Sequence, residues 1–301
     1  MSITESLVDV HWLAQRLREA SPVVLDATAV LPAPEFDGDY RLESGLAKWR
    51  EAHIPGSRHA DLVADFSDHA AATHFTHLAP QALAELLGEY GIDDTTVEVV
   101  LYDSGGGIWA ARLWWQLRAI GVAAVVLDGG LDAWRAAGLP IEQGDAAERP
   151  QASAGIAVAE EEARADIQGD ATERTQTSSG ISIAEVQAWA GIDDVAAISS
   201  GDAPGTLVCA LGSDQFEGRA PTRYSRRGHI PSSVNVPARS LSTGALDSLL
   251  DAPGPIVLYC GGGISAALLA LELVRAGRDD VRIYDGSLEE WTADPARELA
   301  S

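Results

Sequence analysis

Cysteine is scarce in this sequence, and long apolar runs are missing from it. Its 301 residues include two cysteines, Cys209 and Cys260, which is too few for a disulfide framework and leaves room for one reactive thiol. The longest apolar stretch, Ile264 to Val274, is short and contains Glu272, so no membrane-spanning helix is expected. The opening MSITESLVDVHW has acids and no basic region, so we expect no signal peptide and a cytoplasmic location.

Positive charge is also scarce. The 21 basic residues stand against 45 acidic ones, which gives a formal net charge of −24. Nucleic acids and anionic membranes are bound through basic surfaces, so neither is an expected partner. The same charge makes the chain as a whole repel small anions.

The chain is about twice as long as a typical domain, and one pattern occurs in it twice. The offset between the copies is 157 residues at a shared tyrosine, a shared aspartate and a shared tryptophan. The matching pairs are VLYDSGGGI (100–108) with VLYCGGGI (257–264), LDGGLDAW (127–134) with YDGSLEEW (284–291), and HIPG (53–56) with HIPS (229–232). We therefore predict two tandem domains, 1–145 and 181–301, joined by a linker over 146–180.

Each copy alternates short apolar runs with helical patterns. This predicts α/β domains, each with a largely parallel sheet flanked by helices on both faces. The predicted strands are 23–27, 97–102, 124–129, 206–210, 255–260 and 281–286. The predicted helices are 80–90, 109–120, 183–190 and 264–276. The linker is rich in Ala, Gly, Ser and acids, and 159–167 is a candidate helix within it.

Cys260 ends a predicted buried strand, and three glycines separate it from a helix predicted to begin near Ser265. Ligands bind at the carboxyl ends of strands in open parallel sheets. Glycines let successive backbone N–H groups turn toward one point, and a helix N-terminus adds positive potential there. This environment favours a thiolate and stabilises an anion such as a persulfide. A small buried cysteine in a tight strand–helix turn explains the same pattern, so the loop alone leaves both interpretations open.

Together, the motifs resemble those of the tandem rhodanese family of thiosulfate and 3-mercaptopyruvate sulfurtransferases. The resemblance covers almost the whole chain. The segments that carry it are 7–17, 52–57, 114–121, 127–134, 228–237, 260–265 and 284–291.

The resemblance implies that Cys260 holds sulfur as a persulfide and passes it to cyanide or a thiol, without a metal or organic cofactor. Asp103 stands where the first domain would have a cysteine, so that domain is expected to be non-catalytic and to shape the cleft. Asp103 is also an ordinary turn residue at a strand end. The amides that would hold the persulfide belong to Gly261, Gly262, Gly263, Ile264 and Ser265.

The expected donor-binding residues depart from the family's pattern. Cys209, Leu211 and Gln215 stand where the family has an aspartate, an arginine and the donor-binding arginine. Gln215 can hydrogen-bond an anion, but it supplies no charge.

A basic cluster follows these departures and contains no acid: Arg219, Arg223, Arg226 and Arg227. It is either a solvated loop or a substitute donor site that concentrates anions. Its position before the GHIP motif favours donor binding. Arg223 lies nearest to the family's second donor-binding arginine.

The mercaptopyruvate branch has a Ser-His-Asp proton relay. Here Gly262 and Val63 take the serine and aspartate places, and His77 matches the histidine, with its participation left open. Loss of the relay favours thiosulfate as the donor. Thiosulfate releases sulfite, which needs no proton, whereas loss of sulfur from mercaptopyruvate produces an enolate that must be protonated. The loop also lacks the basic residues of thiosulfate-specific relatives, so both donors stay open.

Cys209 also ends a predicted strand of the Cys260 sheet. It is either a buried apolar residue, which its residue type favours, or a second thiol that accepts sulfur or forms a redox-sensitive disulfide.

Three other functions use similar loops or folds. A phosphatase would carry an arginine at the end of its loop, and a nucleotide enzyme would carry a P-loop lysine or GxGxxG; neither is present. A catalytically silent binding module stays open because of Leu211 and Gln215. Two tandem domains make a monomer sufficient for any of these functions.

Overall fold

The computed structural model describes residues 6–94, 96–145, 174–176, 181–184 and 186–301. They form two five-stranded parallel sheets, two small antiparallel strand pairs and ten α-helices in the part of the chain that is described. This confirms the predicted fold class. The candidate helix over 159–167 and most of the linker lie outside the described residues, and the exact domain boundaries stay a prediction. No described helix is long and apolar enough to cross a membrane.

The strands of the first half are β1 (Leu7–Val8), β2 (Val23–Asp26), β3 (Ala29–Val30), β4 (Glu43–Ser44), β5 (Arg58–His59), β6 (Val99–Tyr102) and β7 (Val125–Leu127). The first sheet has the strand order β1-β7-β6-β2-β5, with every pairing parallel. The helices are α1 (Val10–Glu19), α2 (Leu46–Glu51), α3 (Pro80–Glu89), α4 (Ile108–Ala119) and α5 (Gly130–Ala136). β3 and β4 form a separate antiparallel pair.

The strands of the second half are β8 (Arg174–Gln176), β9 (Ser182–Ala184), β10 (Trp189–Ala190), β11 (Thr206–Cys209), β12 (Val234–Asn235), β13 (Ile256–Tyr259) and β14 (Val281–Tyr284). The second sheet has the order β10-β14-β13-β11-β12, which corresponds strand for strand to the first. The helices are α6 (Ile192–Ser200), α7 (Ser213–Phe216), α8 (Thr243–Leu250), α9 (Ile264–Arg275) and α10 (Ser287–Ala293).

The predicted helix over 183–190 is wrong. Ser182–Ala184 pairs antiparallel with β8, and Trp189–Ala190 adds to the second sheet beside β14. Ile181 and Ile183 are both buried, whereas Val186, which a helical pattern would turn inward, is 44% exposed. Alternation of buried isoleucines is a strand period, and it is the stronger pattern over so few residues.

The repeated tyrosine and HIP motifs hold each domain together in the same way. The Tyr102 hydroxyl accepts from Ile54 N at 3.2 Å and bonds Ser57 Oγ at 2.8 Å. The Tyr259 hydroxyl accepts from Ile230 N at 3.1 Å and bonds Ser233 Oγ at 2.6 Å. Each central strand thereby fixes the loop that leads to its edge strand. These motifs are therefore structural in both copies.

The two domains pack through α4 and α9, the equivalent helices that follow the two glycine loops. α4 is buried almost all round, because its own sheet lies on one side and α9 on the other. The first sheet consequently separates two cores. Val24 and Val100 face α1 and α5, while Leu25 and Leu101 belong to a core that continues into the second domain.

A second contact between the domains is made by the loop 31–42, which joins β3 to β4 and lies on residues 220–227. Gly38 N donates to Thr222 O at 2.9 Å, and Thr222 N donates to the Asp37 carboxylate at 3.1 Å. Arg223 Nη2 donates to Pro32 O at 2.7 Å. The loop of the first domain therefore forms one wall of a cleft whose other wall belongs to the second domain.

Candidate active site

A cavity of about 530 Å³ lies in this cleft, with Cys260 and its loop in its wall. The first domain contributes part of the loop 31–42, Phe75 and the start of α4. The second domain contributes residues from 210 to 224, from 237 to 240 and from 260 to 265. The side chains best able to contact a polar ligand are Tyr40, Gln215, Arg223, Tyr224, Arg239 and Ser265.

Cys260 follows β13 directly, at the carboxyl edge of the sheet, and is 2% exposed. The next helix starts at Ile264, as the predicted helix over 264–276 does. Gly263 sits just before it with φ of +77°, a left-handed conformation that suits glycine. A Cβ at Gly263 would also lie 2.7 Å from Arg112 Nη1, so the position is closed to larger residues.

Ser287 holds the cysteine loop in place through hydrogen bonds. Its Oγ accepts from Cys260 N and Gly263 N, each at 3.1 Å, and donates to Tyr284 O at 2.8 Å. Ser287 has φ of +49°, an uncommon conformation for a non-glycine residue. Leu288 N and Glu289 N donate to the carbonyls of Cys260 and Gly261. The start of α10 therefore fixes the loop through four hydrogen bonds.

Several amides of the loop are left open. Within the described part of the chain, the backbone N–H groups of Gly261, Gly262, Ile264 and Ser265 have no protein partner. Ile264 and Ser265 are in the first turn of α9, where helical N–H groups lack an intrahelical acceptor. These donors are free to hold an anion beside Cys260.

The first domain shows what such a loop binds. The Asp103 carboxylate accepts from the amides of Gly105, Gly107, Trp109 and Ala110 at 2.7–2.9 Å. Burial raises the pKa of Asp103, and the four amide bonds oppose that shift. Counted from the helix starts, Gly105 corresponds to Gly261 and Gly107 to Gly263. Counted from the strand ends, Asp103 corresponds to Cys260, because each follows the last residue of its strand directly. The first loop is therefore filled by its own carboxylate, whereas the second carries a thiol at the equivalent position.

Arg223 and Gln215 lie in the wall of the Cys260 cavity, and Arg239, which the sequence analysis missed, lies there too. Burial lowers the pKa of Arg223, but a guanidinium stays protonated in proteins. Its Nε is buried and has no hydrogen-bond partner among the residues that the structure describes. Arg239 donates to Gly105 O at 3.3 Å across the cleft. The cavity therefore holds two cations in a strongly acidic protein.

The other arginines of the predicted cluster have structural contacts. Arg219 pairs with Asp214 and Glu217, and Arg227 donates to both oxygens of Asp37 at 2.9 Å. Arg226 donates to the carbonyls of Thr292, Asp294 and Arg297. The structure thus brings Arg223 together with Cys260 and places Arg227 in the contact between the domains.

His77 is in a partly buried network next to the cysteine loop. Its Nδ1 bonds Asp285 Oδ2 at 2.7 Å, and its ring stacks on Trp189 at 4.1 Å. Asp285 Oδ1 pairs with Arg112 Nη2 at 2.7 Å. Burial raises the pKa of Asp285, but Arg112 and His77 outweigh it and hold that pKa below its usual range. His77 itself lines a separate cavity of about 310 Å³.

Cys209 lies at the end of β11, beside Tyr259 of β13, and both cysteines are free thiols. It is fully buried, and burial raises the pKa of its thiol to about 12. These properties fit the buried, apolar interpretation.

Five residues around the cysteine loop could not be singled out from the sequence: Tyr40, Arg112, Arg239, Asp285 and Ser287. Ser287 and Asp285 lie in the YDGSLEEW motif, so the repeat pointed to that segment without giving them roles. Arg112 follows the first glycine loop, but no feature of the sequence distinguishes it from an ordinary helix residue. Nothing in the local pattern marked Tyr40 or Arg239.

Residues 9–137 and 212–294 match the model of the rhodanese-like domain. The chain belongs to the rhodanese family.

Among its relatives, it is similar to thiosulfate/3-mercaptopyruvate sulfurtransferase 1 of Arabidopsis thaliana, at 32% identity over 98% of this chain and 78% of the relative. The 3-mercaptopyruvate sulfurtransferase of Escherichia coli K12 is 28% identical, over 96% of each chain. The crystal structure of the 3-mercaptopyruvate sulfotransferase SseA from Escherichia coli matches with a TM-score of 0.70 at 26% identity, covering 94% of this chain and 98% of that one.

Proposed function

We propose that this protein is a sulfurtransferase that moves sulfane sulfur from thiosulfate or 3-mercaptopyruvate to a thiophilic acceptor, such as cyanide or a thiol, through a persulfide on Cys260. The observation that carries the proposal is the glycine loop around Cys260. Its open amides surround a thiol, while the equivalent loop in the first domain already binds a carboxylate. Relatives named as sulfurtransferases over nearly the whole chain support the same reaction.

The reaction has two steps. The Cys260 thiolate attacks the outer sulfur of the donor, so that a new S–S bond forms. The old bond to that sulfur breaks, and its electron pair leaves with sulfite or with the enolate carbon of pyruvate. An acceptor then attacks the terminal sulfur, takes it, and returns the Cys260 thiolate. No external oxidant or reductant is needed.

The loop amides stabilise the persulfide anion in the first step. Gly261, Gly262, Ile264 and Ser265 offer N–H donors beside the buried Cys260, and a hydrogen bond to a charged group is stronger than one between neutral groups. Ser287 holds the loop in shape, so the backbone N–H groups are already in place when the sulfur donor binds.

Arg223 is the proposed donor-binding cation, with Gln215 as a neutral hydrogen-bonding partner. Both donors are anions, and Arg223 is the member of the predicted cluster that lines the cavity. Arg239 provides a second positive charge at the cavity wall. We assign no direct donor contact to Arg219, Arg227 or His77.

A cyanide-coupled transfer assay with both donors tests these assignments. Cys260→Ser is expected to abolish turnover, and Cys209→Ser to retain it. Arg223→Gln is expected to lower kcat/KM at least about tenfold through loss of a charge-assisted hydrogen bond, while Arg219→Gln stays within about twofold. Equal losses in the two arginine variants would contradict the assignment. Folded, reduced protein that turns over neither donor would favour a silent binding module.

The cleft is built from the two domains of one chain, which supports action as a monomer. The cytoplasmic location stays a prediction, supported by two free thiols in a protein whose chemistry needs one of them reduced. The proposed catalytic unit is 181–301, with 1–145 supplying the opposite wall and 146–180 joining them.

A further inference from the structure

Tyr40 places a phenol in the Cys260 cavity. It lies in the loop 31–42 of the first domain and lines the cavity together with Cys260 and Gly262. Its hydroxyl oxygen is 3.6 Å from the position that a Cβ on Gly262 would take. The Tyr40 hydroxyl therefore lies close to the cysteine loop.

The orientation of Tyr40 is fixed by contacts that end on the cysteine loop. Its ring stacks on His74, with centroids 3.8 Å apart and an interplanar angle of 14°. His74 Nδ1 bonds Glu289 Oε1 at 2.5 Å, and Glu289 N donates to Gly261 O at 3.0 Å. The phenol from one domain is thus aligned against the catalytic loop of the other.

Tyr40 is neutral in this setting. Burial and the nearby Glu289 carboxylate raise the pKa of Tyr40 well above its ordinary value of 10.0. The phenol therefore keeps its proton at neutral pH. A neutral phenol can protonate a strong carbon base, and it places no extra negative charge beside an anionic donor.

We propose that Tyr40 is a catalytic residue that protonates the carbon leaving group of 3-mercaptopyruvate. This rests on the proposed function. When the Cys260 thiolate attacks the sulfur, the S–S bond forms and the C–S bond breaks, with its electron pair moving to C3. The Tyr40 hydroxyl gives its proton to C3, which yields the methyl group of pyruvate. The proton of the donor's thiol, released as the persulfide ionises, restores the phenol.

Thiosulfate makes no such demand. Its S–S bond breaks with the electron pair on sulfite, a stable anion that leaves without a proton. Loss of the Tyr40 hydroxyl therefore affects one donor and spares the other. A purely structural role in holding the loop 31–42 would affect both donors alike.

The test is a comparison of Tyr40→Phe with wild type on the two donors, measured as the rate of sulfur loading on Cys260 in a single turnover. We expect loading from 3-mercaptopyruvate to slow about a hundredfold and loading from thiosulfate to stay within about twofold. Tyr90→Phe is the matched control. Its hydroxyl is partly buried in the first domain, where it donates to His59 O at 3.2 Å, and both rates should be unchanged.

Every other outcome refutes either the role of Tyr40 or the proposed function. Equal slowing with both donors would assign Tyr40 a structural role and overturn the proposal. An unchanged rate with 3-mercaptopyruvate, or a wild type that loads sulfur from thiosulfate alone, would also overturn it. A wild type that loads from neither donor would instead refute the proposed function, which keeps the two failures distinct.

Discussion

Arg112→Met should destabilise the protein far more than a matched change on the same helix. Arg112 lies on α4 with its side chain fully buried, and its Nη2 is 2.7 Å from Asp285 of the second domain. Its guanidinium also lies over Trp189, 5.0 Å from the ring centroid. The substitution leaves Asp285 buried without its cation.

The expected loss follows from this geometry. Removing one partner of a buried ion pair costs about 3–5 kcal/mol, because the remaining charge is left uncompensated. Asp285 keeps the hydrogen bonds from His77 N and Nδ1, at 2.9 and 2.7 Å. We therefore expect the lower end, about 3 kcal/mol in the free energy of unfolding. In Arg112→Met/Asp285→Asn neither charge remains, and the loss should be smaller than in the single variant.

Urea unfolding followed by circular dichroism measures these differences, with Arg118→Met as the control. Arg118 also joins the domains, through Asp279 at 3.1 Å, but the two side chains are 30% and 77% exposed. Such a pair contributes about 1 kcal/mol or less. If Arg112→Met lowers the free energy of unfolding no more than Arg118→Met does, the buried ion pair does not have the expected effect on stability.

Cys209, His59 and Ser287 have buried side chains whose contacts can be tested directly. Native protein treated with iodoacetamide should be modified at Cys260 and not at Cys209, whose pKa is raised to about 12 by burial; mass mapping of peptides that shows Cys209 labelled first would contradict this. Burial lowers the pKa of His59, but its two aspartate partners outweigh this and raise it from 6.5 to about 9. Its protonated form therefore stabilises the fold below pH 6.5, and about 3 kcal/mol of stability should be lost as the pH rises toward 9. If the free energy of unfolding in urea changes equally with pH in wild type and in His59→Asn, this prediction is contradicted. Ser287→Ala removes the acceptor shared by two loop amides and should slow sulfur loading about tenfold with both donors, whereas an unchanged rate would show that the loop keeps its shape alone.

The fold could be predicted from the sequence because its determinants are local. Apolar runs such as 255–260 and glycine loops such as 261–263 are contiguous patterns, and each produced the expected strand or turn. The helix prediction for 183–190 was wrong because eight residues with mixed apolar spacing fit both the helical period and the strand period. Pairing with β8 and β14, which decides between them, is a tertiary contact.

The site could be predicted only in part, for a similar reason. Cys260 and its loop are contiguous, so their arrangement followed from the pattern. Arg227 was grouped with Arg223 because the sequence could not show that Asp37, 190 residues away, binds it. Tyr40 was missed because its contact with the cysteine loop depends on how the two domains pack.

The most direct test of a Cys260 persulfide is the intact mass of the purified, reduced protein after incubation with thiosulfate or with 3-mercaptopyruvate. The account predicts a gain of one sulfur atom that cyanide removes and that Cys260→Ser does not show. No gain with either donor, or a gain that persists in Cys260→Ser, would contradict it.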